Sequence, residues 1–405
     1  MKFIHAADIH LDSPLTGLQA RDDLPSDIVR DSTRRAFSGM IDLALAEDVA
    51  FVVIAGDLYD GDWKHFLTGL FFAEEMRRLA RPCFLLRGNH DAQSLITRGL
   101  KLPANVREFS SRACETFRLP DLGVALHGHS FANRAAHEDL SAGYPAPVEG
   151  MFNIGVLHTS GDAPGEHAVY APCTVADLTL KGYDYWALGH IHQRRVLSEN
   201  PRIVFPGNLQ GRHAKEIGAK GCELVTIEDR RIVAAEFRFV DVLRWAALDL
   251  DATGLDDAGL TAAIDAQVQK AVAEADERPI LARLTVAGTT DLHGSLVADT
   301  ERLIAECRNA AIGAGAQLWI EAVKIRTQPM PTTDTDSLSE LRKAFFAGLS
   351  DPAIADKLRQ EFDSLRKKVP ARANAELLSD DDGLLRIAED AWQLVASAIA
   401  TTATR

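Results

Sequence analysis

The sequence predicts an α/β protein: a helix-flanked β domain, then a smaller α+β segment, then a helical tail. Three observations carry this. Short apolar runs ending in Gly, Asn, Asp or His recur through the first part of the chain, as strands buried on both faces do. Amphipathic helical stripes separate the first three runs, which is the strand–helix–strand grammar of a covered sheet. Beyond about residue 245 the texture changes, and after a Pro/Thr-rich break only helical patterns remain.

Taken in order, the expected strands are Phe3-Ile4, Phe51 to Ala55, Phe84 to Leu86, Val124 to Leu126, Ile154 to Leu157, Trp186 to Leu188 and Ile203 to Phe205. Val29, Ala36, Phe37, Met40, Ile41, Ala44 and Leu45 form one 3.6-period stripe, and Phe66, Leu70, Ala73, Met76 and Leu79 another. The stretch GCELVTIEDRRIVAAEFRFV reads as a hairpin turning around Glu228 to Arg231. From there helices near 256–275 and 295–312 alternate with strands at Ile280 to Ala287 and Leu318 to Ile325. The break TQPMPTTDTDS precedes stripes through Leu338, Leu341, Phe345 and Leu349, through Leu358, Phe362 and Leu365, and a last helix ending near Ala400. The expected domains are 1–242, 243–328 and 329–405, since 405 residues exceed what one core usually fills.

Composition narrows the class. With 46% hydrophobic and 25% charged residues the chain is an ordinary globular protein rather than a disordered or collagenous one. Lys+Arg 44 against Asp+Glu 58 leaves a net charge of −14, most of the excess beyond residue 240. Such a balance does not suit wrapping nucleic acid by bulk electrostatics; it suits a local acidic site for cations, or a partner that supplies the basic surface. The five cysteines are scattered, with no C-x-x-C pair, which argues against a disulfide framework or a zinc knuckle and for a reducing compartment. No apolar stretch is long enough to span a bilayer and no signal peptide is read, so the expected location is cytoplasmic, without a membrane partner.

Six motifs fall at predicted strand ends: Asp8-Ile9-His10, Gly56-Asp57 with Asp60, Gly88-Asn89-His90-Asp91, Leu157-His158-Thr159, Gly189-His190-Ile191-His192 and Pro206-Gly207-Asn208. Residues beyond the carboxyl ends of neighbouring strands converge on one crevice. A crevice receiving Asp, His, Asp, Asn and three further His has the donor inventory of two divalent cations, and oxygen and imidazole donors without thiolate favour Mn, Fe or Zn, with Mn2+ the expectation. Two carboxylates cannot neutralise two dications, so positive charge remains for a phosphate. In extended backbone, Asp8 and His10, or His190 and His192, would point the same way.

This ordered set resembles the calcineurin-like metallophosphoesterase superfamily over roughly residues 1–240. The resemblance implies a β-sandwich flanked by helices, one metal held by Asp8, His10, Asp57 and His192, and a second held by Asp57, Asn89, His158 and His190. It makes His90 the catalytic histidine, with Asp91 orienting it. Within the superfamily the segments Asp8 to Leu15, Gly88 to Asp91 and Phe205 to His213 are similar to the SbcD/Mre-type DNA repair nucleases, and more narrowly to their YhaO-like branch. That similarity implies a metal-dependent DNA exonuclease or endonuclease, with a capping domain at about 245–328, a tail docking on an SMC/ABC-type coiled-coil ATPase, and a homodimer. The alternatives are a small-molecule or nucleotide phosphodiesterase or phosphatase, and a binding scaffold that does not turn over.

Other polar residues carry two readings each. Arg212 and His213 reach a substrate phosphate or belong to a surface loop, as do Arg194 and Arg195. His127 and His129 imitate the later Gly-His-x-His out of order and read as structural. Asp60 and Asp62 either support the site or shape a turn, and Arg87 faces the groove or pairs on the surface. His5 is left out of the site.

Overall fold

The computed structural model describes residues 1–13, 31–60, 66–93, 101–134, 136–161, 170–330, 336–349 and 351–368, with isolated positions from Ala388 onward. The expected Asp62 and most of the last tail helix lie outside the described residues. Two six-stranded sheets dominate. In the first, β1 (Lys2–Ala6), β2 (Phe51–Ala55), β3 (Cys83–Leu86) and β4 (Val106–Glu108) run parallel. There β11 (Gly221–Glu228) joins β1 antiparallel and β12 (Arg231–Phe239) closes the order β12-β11-β1-β2-β3-β4. The hairpin turns where expected, Glu228 pairing with Arg231. Asp229 and Arg230 sit at φ 49° and 61°, the two positive values a two-residue hairpin turn needs.

The second sheet has a parallel centre of β6 (Val124–Gly128), β7 (Phe152–His158), β8 (Tyr185–Gly189) and β10 (Arg202–Phe205). Antiparallel edges β5 (Glu115–Leu119) and β9 (Arg195–Glu199) give the order β5-β6-β7-β8-β10-β9. Three strands carry no readable apolar run: β4 is three residues long, and β5 and β9 are polar edges with half-exposed side chains.

Strand alternation sorts side chains into layers. Phe3, Phe51, Val53 and Phe84 from the first sheet meet Leu126, Ile154, Val156, Tyr185 and Ala187 from the second in one buried cluster. Phe3 stacks on Phe51 with centroids 5.1 Å apart and meets the edge of Tyr185 at 5.3 Å. Each such ring contributes about 1.5–3 kcal/mol on burial. The alternate residues Ile4, Ala6, Val52 and Ile54 pack outward against Phe37, Met40 and Ile41 of α1 (Ser32–Ala46) and Phe72 and Met76 of α2 (Phe66–Leu79). On the far side of the second sheet, Trp186 and Leu188 pack with Leu178 of α3 (Val175–Leu180), whose start is fixed by a Thr174–Asp177 capping box. The result is a helix-flanked β-sandwich.

Further along lie β13 (Arg244–Asp251), α4 (Asp257–Ala275), β14 (Ile280–Thr290), α5 (His293–Ala298), α6 (Thr300–Gly313) and β15 (Leu318–Pro329), the strands forming a sheet in the order β13-β14-β15. Then come α7 (Asp336–Leu349) and α8 (Pro352–Lys368). The chain divides into two compact units, one of residues 1–248, 268–283 and 308–322, the other of 249–267, 284–307 and 323–405. In the second unit the rings of Phe345 and Trp392 lie 5.7 Å apart. Among the described residues no helix is long and apolar enough to cross a membrane, and none of the cysteines is in a disulfide.

Candidate metal centre

The motif-bearing loops at the ends of β1, β2, β3, β7 and β8 gather in the first unit. Asp8 donates its backbone N–H to the Gly56 carbonyl at 3.0 Å, and His10 does so to the Asp57 carbonyl at 3.0 Å. The backbone here is not the extended one expected. Asp8, His10 and Asp57 lie at φ 52°, 45° and 51°, and His190 at 103°. Left-handed non-glycine residues are uncommon and each stores strain, which parallel strand ends and cross-loop hydrogen bonds hold in place. The side chains converge because the loops curl, not because a strand alternates.

Two of the clusters that result hold the expected donors. In one, His10 Nε2 lies 3.3 Å from His192 Nε2, and His192 Nε2 lies 4.0 Å from Asp8 Oδ1. In the other, His158 Nε2 lies 3.0 Å from Asn89 Oδ1 and 3.4 Å from Asp57 Oδ2. Candidate donor atoms of Asp8, His10 and His192, and likewise of Asp57, His158 and His190, lie within 4.8 Å of one another. Asp57 Oδ2 also stands 3.8 Å from His10 Nε2, so one carboxylate oxygen faces both clusters. Both oxygens of Asp8 accept from the His190 backbone N–H, at 3.0 and 2.9 Å.

The donor set fits cations on its own chemistry. His158 Nδ1 lies 3.0 Å from the Ala55 carbonyl, which can only accept, so Nδ1 carries the hydrogen. His158 Nε2 therefore faces two oxygen acceptors in a buried space, which calls for positive charge there, on a cation or on the ring itself. His192 repeats the pattern, its Nδ1 lying 2.5 Å from Glu216 Oε1 while its Nε2 faces His10. Buried nitrogen and oxygen donors converging in this way call for positive charge among them. Burial opposes a charge on His158, yet Asp57 outweighs it and lifts the ring to about 9. Burial likewise opposes ionisation of Asp57, but His158, His10 and His90 hold it well below the usual carboxylate range. Asp8 is raised by burial, against the pull of His192 and His158. His10 is lowered well below the ordinary histidine value by burial and by Arg212.

Close approach demands glycine at Gly56 and Gly88, among other positions. A Cβ on Gly56, at φ 100°, would stand 2.3 Å from His158 Nδ1, and one on Gly88 would stand 2.2 Å from Asp57 Oδ1.

His90 sits beside the first cluster, its ring centroid 4.9 Å from that of His10. A carboxylate at its Nδ1 is that of Asp60, 3.0 Å away. Asp91 accepts from the backbone N–H groups of Leu58, Tyr59 and Gly88 at 3.2, 2.8 and 3.0 Å, tying the loop after β2 to the loop after β3. Burial, with Asp57 nearby, raises Asp91 to about 7. Asp60 also accepts from Ser13 Oγ at 2.7 Å and, despite burial, is held at about 2 by His90, Ser13 and Arg212.

Arg212 lies at the edge of this cluster, 3.2 Å from Ser13 Oγ, 3.7 Å from Asp60 Oδ2 and 3.3 Å from His192 Nδ1. His213 is half exposed, 3.4 Å from Glu216 Oε1. Arg194 pairs with buried Glu223 at 2.6 Å, Arg195 reaches Gln193, and Arg87 pairs with Glu108 at 3.1 Å. His5 bonds Tyr185 Oη and the Leu188 carbonyl inside the sandwich, and burial takes it down to about 3. His127 lies between Thr116 and Asn153. Glu216, absent from the sequence reading, carried no signal there: a single Glu in a polar loop.

A helix-flanked double sheet with these donors at its strand ends defines a metallophosphoesterase, and the calcineurin-like phosphoesterase family matches residues 1–194. The middle domain of the metallophosphoesterase YhaO matches residues 245–328. An uncharacterized metallophosphoesterase YhaO from Bacillus subtilis is 36% identical over 302 residues, 71% of this chain and 72% of that protein. The chain therefore belongs to the YhaO branch of the calcineurin-like metallophosphoesterases. Two proteins named DNA double-strand break repair protein Mre11 are also similar. The one from Methanopyrus kandleri is 25% identical over 276 residues, 60% of this chain and 57% of its own length. The one from Sulfurisphaera tokodaii is 26% identical over 215 residues, 50% and 52%. The family acts on phosphoesters and uses a dinuclear divalent metal centre.

Proposed function

We propose that this chain is a metal-dependent DNA nuclease that hydrolyses phosphodiester bonds, with Mn2+ as the metal. It works in the cytoplasm as the nuclease subunit, and as a homodimer, of an assembly with an SMC/ABC-type coiled-coil ATPase. Residues 1–242 form the nuclease domain, 243–328 the capping domain and 329–405 the ATPase-docking tail. The observation that carries the reading is one carboxylate oxygen of Asp57 facing both donor clusters with His90 beside them. The similarity to two proteins named for DNA double-strand break repair supports the choice of substrate.

Asp8, His10, Asp57 and His192 would hold one cation, and Asp57, Asn89, His158 and His190 the other. Bound there, the pair supplies Lewis acidity toward the phosphoryl oxygens and a hydroxide nucleophile at neutral pH. The chain's own residues do the rest. Asn89 contributes a carbonyl oxygen without adding negative charge. Asp60 and Asp57 favour the imidazolium of His90 over the opposing effect of burial, so the ring can offer a proton to the departing oxygen. Asp91 serves indirectly, by fixing the two loops that carry Asp57 and His90. Arg212, at the edge of the cluster, offers its guanidinium to a substrate phosphate, with His213 next to it.

The test is degradation of linear duplex and single-stranded DNA with Mn2+. His90→Ala is expected to lower the rate by about 10²-fold or more, and Asn89→Ala to lower it as well. Full activity in either variant overturns the assignment. Turnover of cyclic nucleotides with inert DNA would instead favour the nucleotide phosphodiesterase reading, which the net charge of −14 suits.

A further inference from the structure

We propose that Glu216 is a positioning residue for the metal centre, one that sets which nitrogen of His192 is available to a cation. The proposal rests on the two-cation reading above. Glu216 lies in the loop between β10 and β11 and is 7% exposed. Its Oε1 stands 2.5 Å from His192 Nδ1 and 3.6 Å from Arg212 Nη2. Its Oε2 accepts from Asn208 Nδ2 at 2.9 Å and from the Arg212 backbone N–H at 2.7 Å. Lys220 Nζ donates to the His192 carbonyl at 3.1 Å, so backbone and ring are gripped separately.

The key juxtaposition is Arg212 Nη2, which lies 3.3 Å from the same Nδ1 of His192. A guanidinium can only donate. While Glu216 accepts from Nδ1 and pairs with the guanidinium, Nδ1 keeps its hydrogen and Nε2 keeps the lone pair that faces His10 and Asp8. Without that carboxylate the only close partner of Nδ1 among the described residues is a donor. The neutral ring then moves its hydrogen to Nε2 and accepts from Arg212, and the centre loses one nitrogen ligand. Glu216 is therefore a tautomer lock, and Arg212 is the group it guards against.

The experiment is calorimetric titration of the full chain with Mn2+. The unaltered protein is expected to bind two ions. Glu216→Ala is expected to weaken one of them by about 10–100-fold, the usual effect of removing a carboxylate behind a ligating histidine, and to leave the other unchanged. Adding Arg212→Ala to that variant restores part of the lost affinity, which a merely structural role for Glu216 would not produce. Glu216→Gln keeps an acceptor oxygen and gives a smaller loss in the same ion; it carries the test if the alanine variant does not fold. Unaltered binding in both single variants overturns the proposal, as does equal weakening of both ions or no recovery in the double variant. If the unaltered protein itself binds fewer than two ions, the two-cation reading fails first, and that outcome is distinct.

Discussion

His158 and His192 face the same cage, and they are held in opposite ways. His158 ends β7, is fully buried, and lies against a main-chain carbonyl with Gly56 and Gly88 at its flanks. His192 follows β8, is about a quarter exposed, and is held by the side chain of Glu216. A ring clamped by backbone is disturbed only by intrusion, because no holder can be removed. A ring clamped by a carboxylate is adjustable through that carboxylate. One half of the centre is thus rigid by construction and the other tunable.

The sharpest way to break this contrast is to strike the residue both halves share. Asp57→Ala is expected to lower phosphodiester hydrolysis by about 10³-fold or more and to reduce bound Mn2+, measured by single-turnover kinetics and metal analysis. Retention of both ions would show that the halves do not meet at Asp57. Next comes intrusion on the rigid half. Gly56→Ala places a methyl group against His158 in left-handed backbone and is expected to cost about 1–3 kcal/mol, read as a lower midpoint in denaturant. An unchanged midpoint would mean the clamp has slack.

A pH profile tests the neighbouring pair. Burial works against a charge on His90, but the Asp60 hydrogen bond and the Asp57 charge outweigh it, so its value lies above the ordinary 6.5. For a raised histidine the pairing stabilises fully below 6.5 and is lost as pH rises through the raised value. The depressed value of Asp60 keeps its share of stability above 3.8 and yields it as pH falls through about 2. Activity that needs the imidazolium therefore declines on the alkaline side. In Asp60→Asn the decline should begin at lower pH; an unmoved limb assigns it to another group. The smallest effect is at the decoy histidine. His127→Gln is expected to cost about 1 kcal/mol through its hydrogen bonds to Thr116 and Asn153, with Mn2+ binding and hydrolysis unaltered.

What was readable beforehand followed from periodicity and order. The central strands of both sheets announce themselves as apolar runs, and the hairpin at Glu228 to Arg231 announces its own turn. The side chains from Asp8 to His192 that the fold gathers were visible because each follows such a run. Polar edge strands β4, β5 and β9 were not, since an edge needs few apolar residues. Of the support around the donors, Asp60 was readable only as either a supporting group or a turn residue, and Glu216 not at all, since a residue that acts through loop shape leaves no periodic trace. The curled backbone at Asp8, His10 and Asp57 was equally hidden, as a residue's identity tolerates that conformation without announcing it.

That curl restricts which amino acids can serve here, beyond what ligand chemistry alone would require. Aspartate, asparagine and histidine enter left-handed backbone more readily than most side chains, while longer acids do not share the advantage. Glutamate at position 8 or 57 would preserve the carboxylate yet add a methylene and meet a less tolerant main chain. The short acid is thus selected twice, once by reach and once by torsion, so a donor-for-donor redesign of this cage must begin with the peptide geometry.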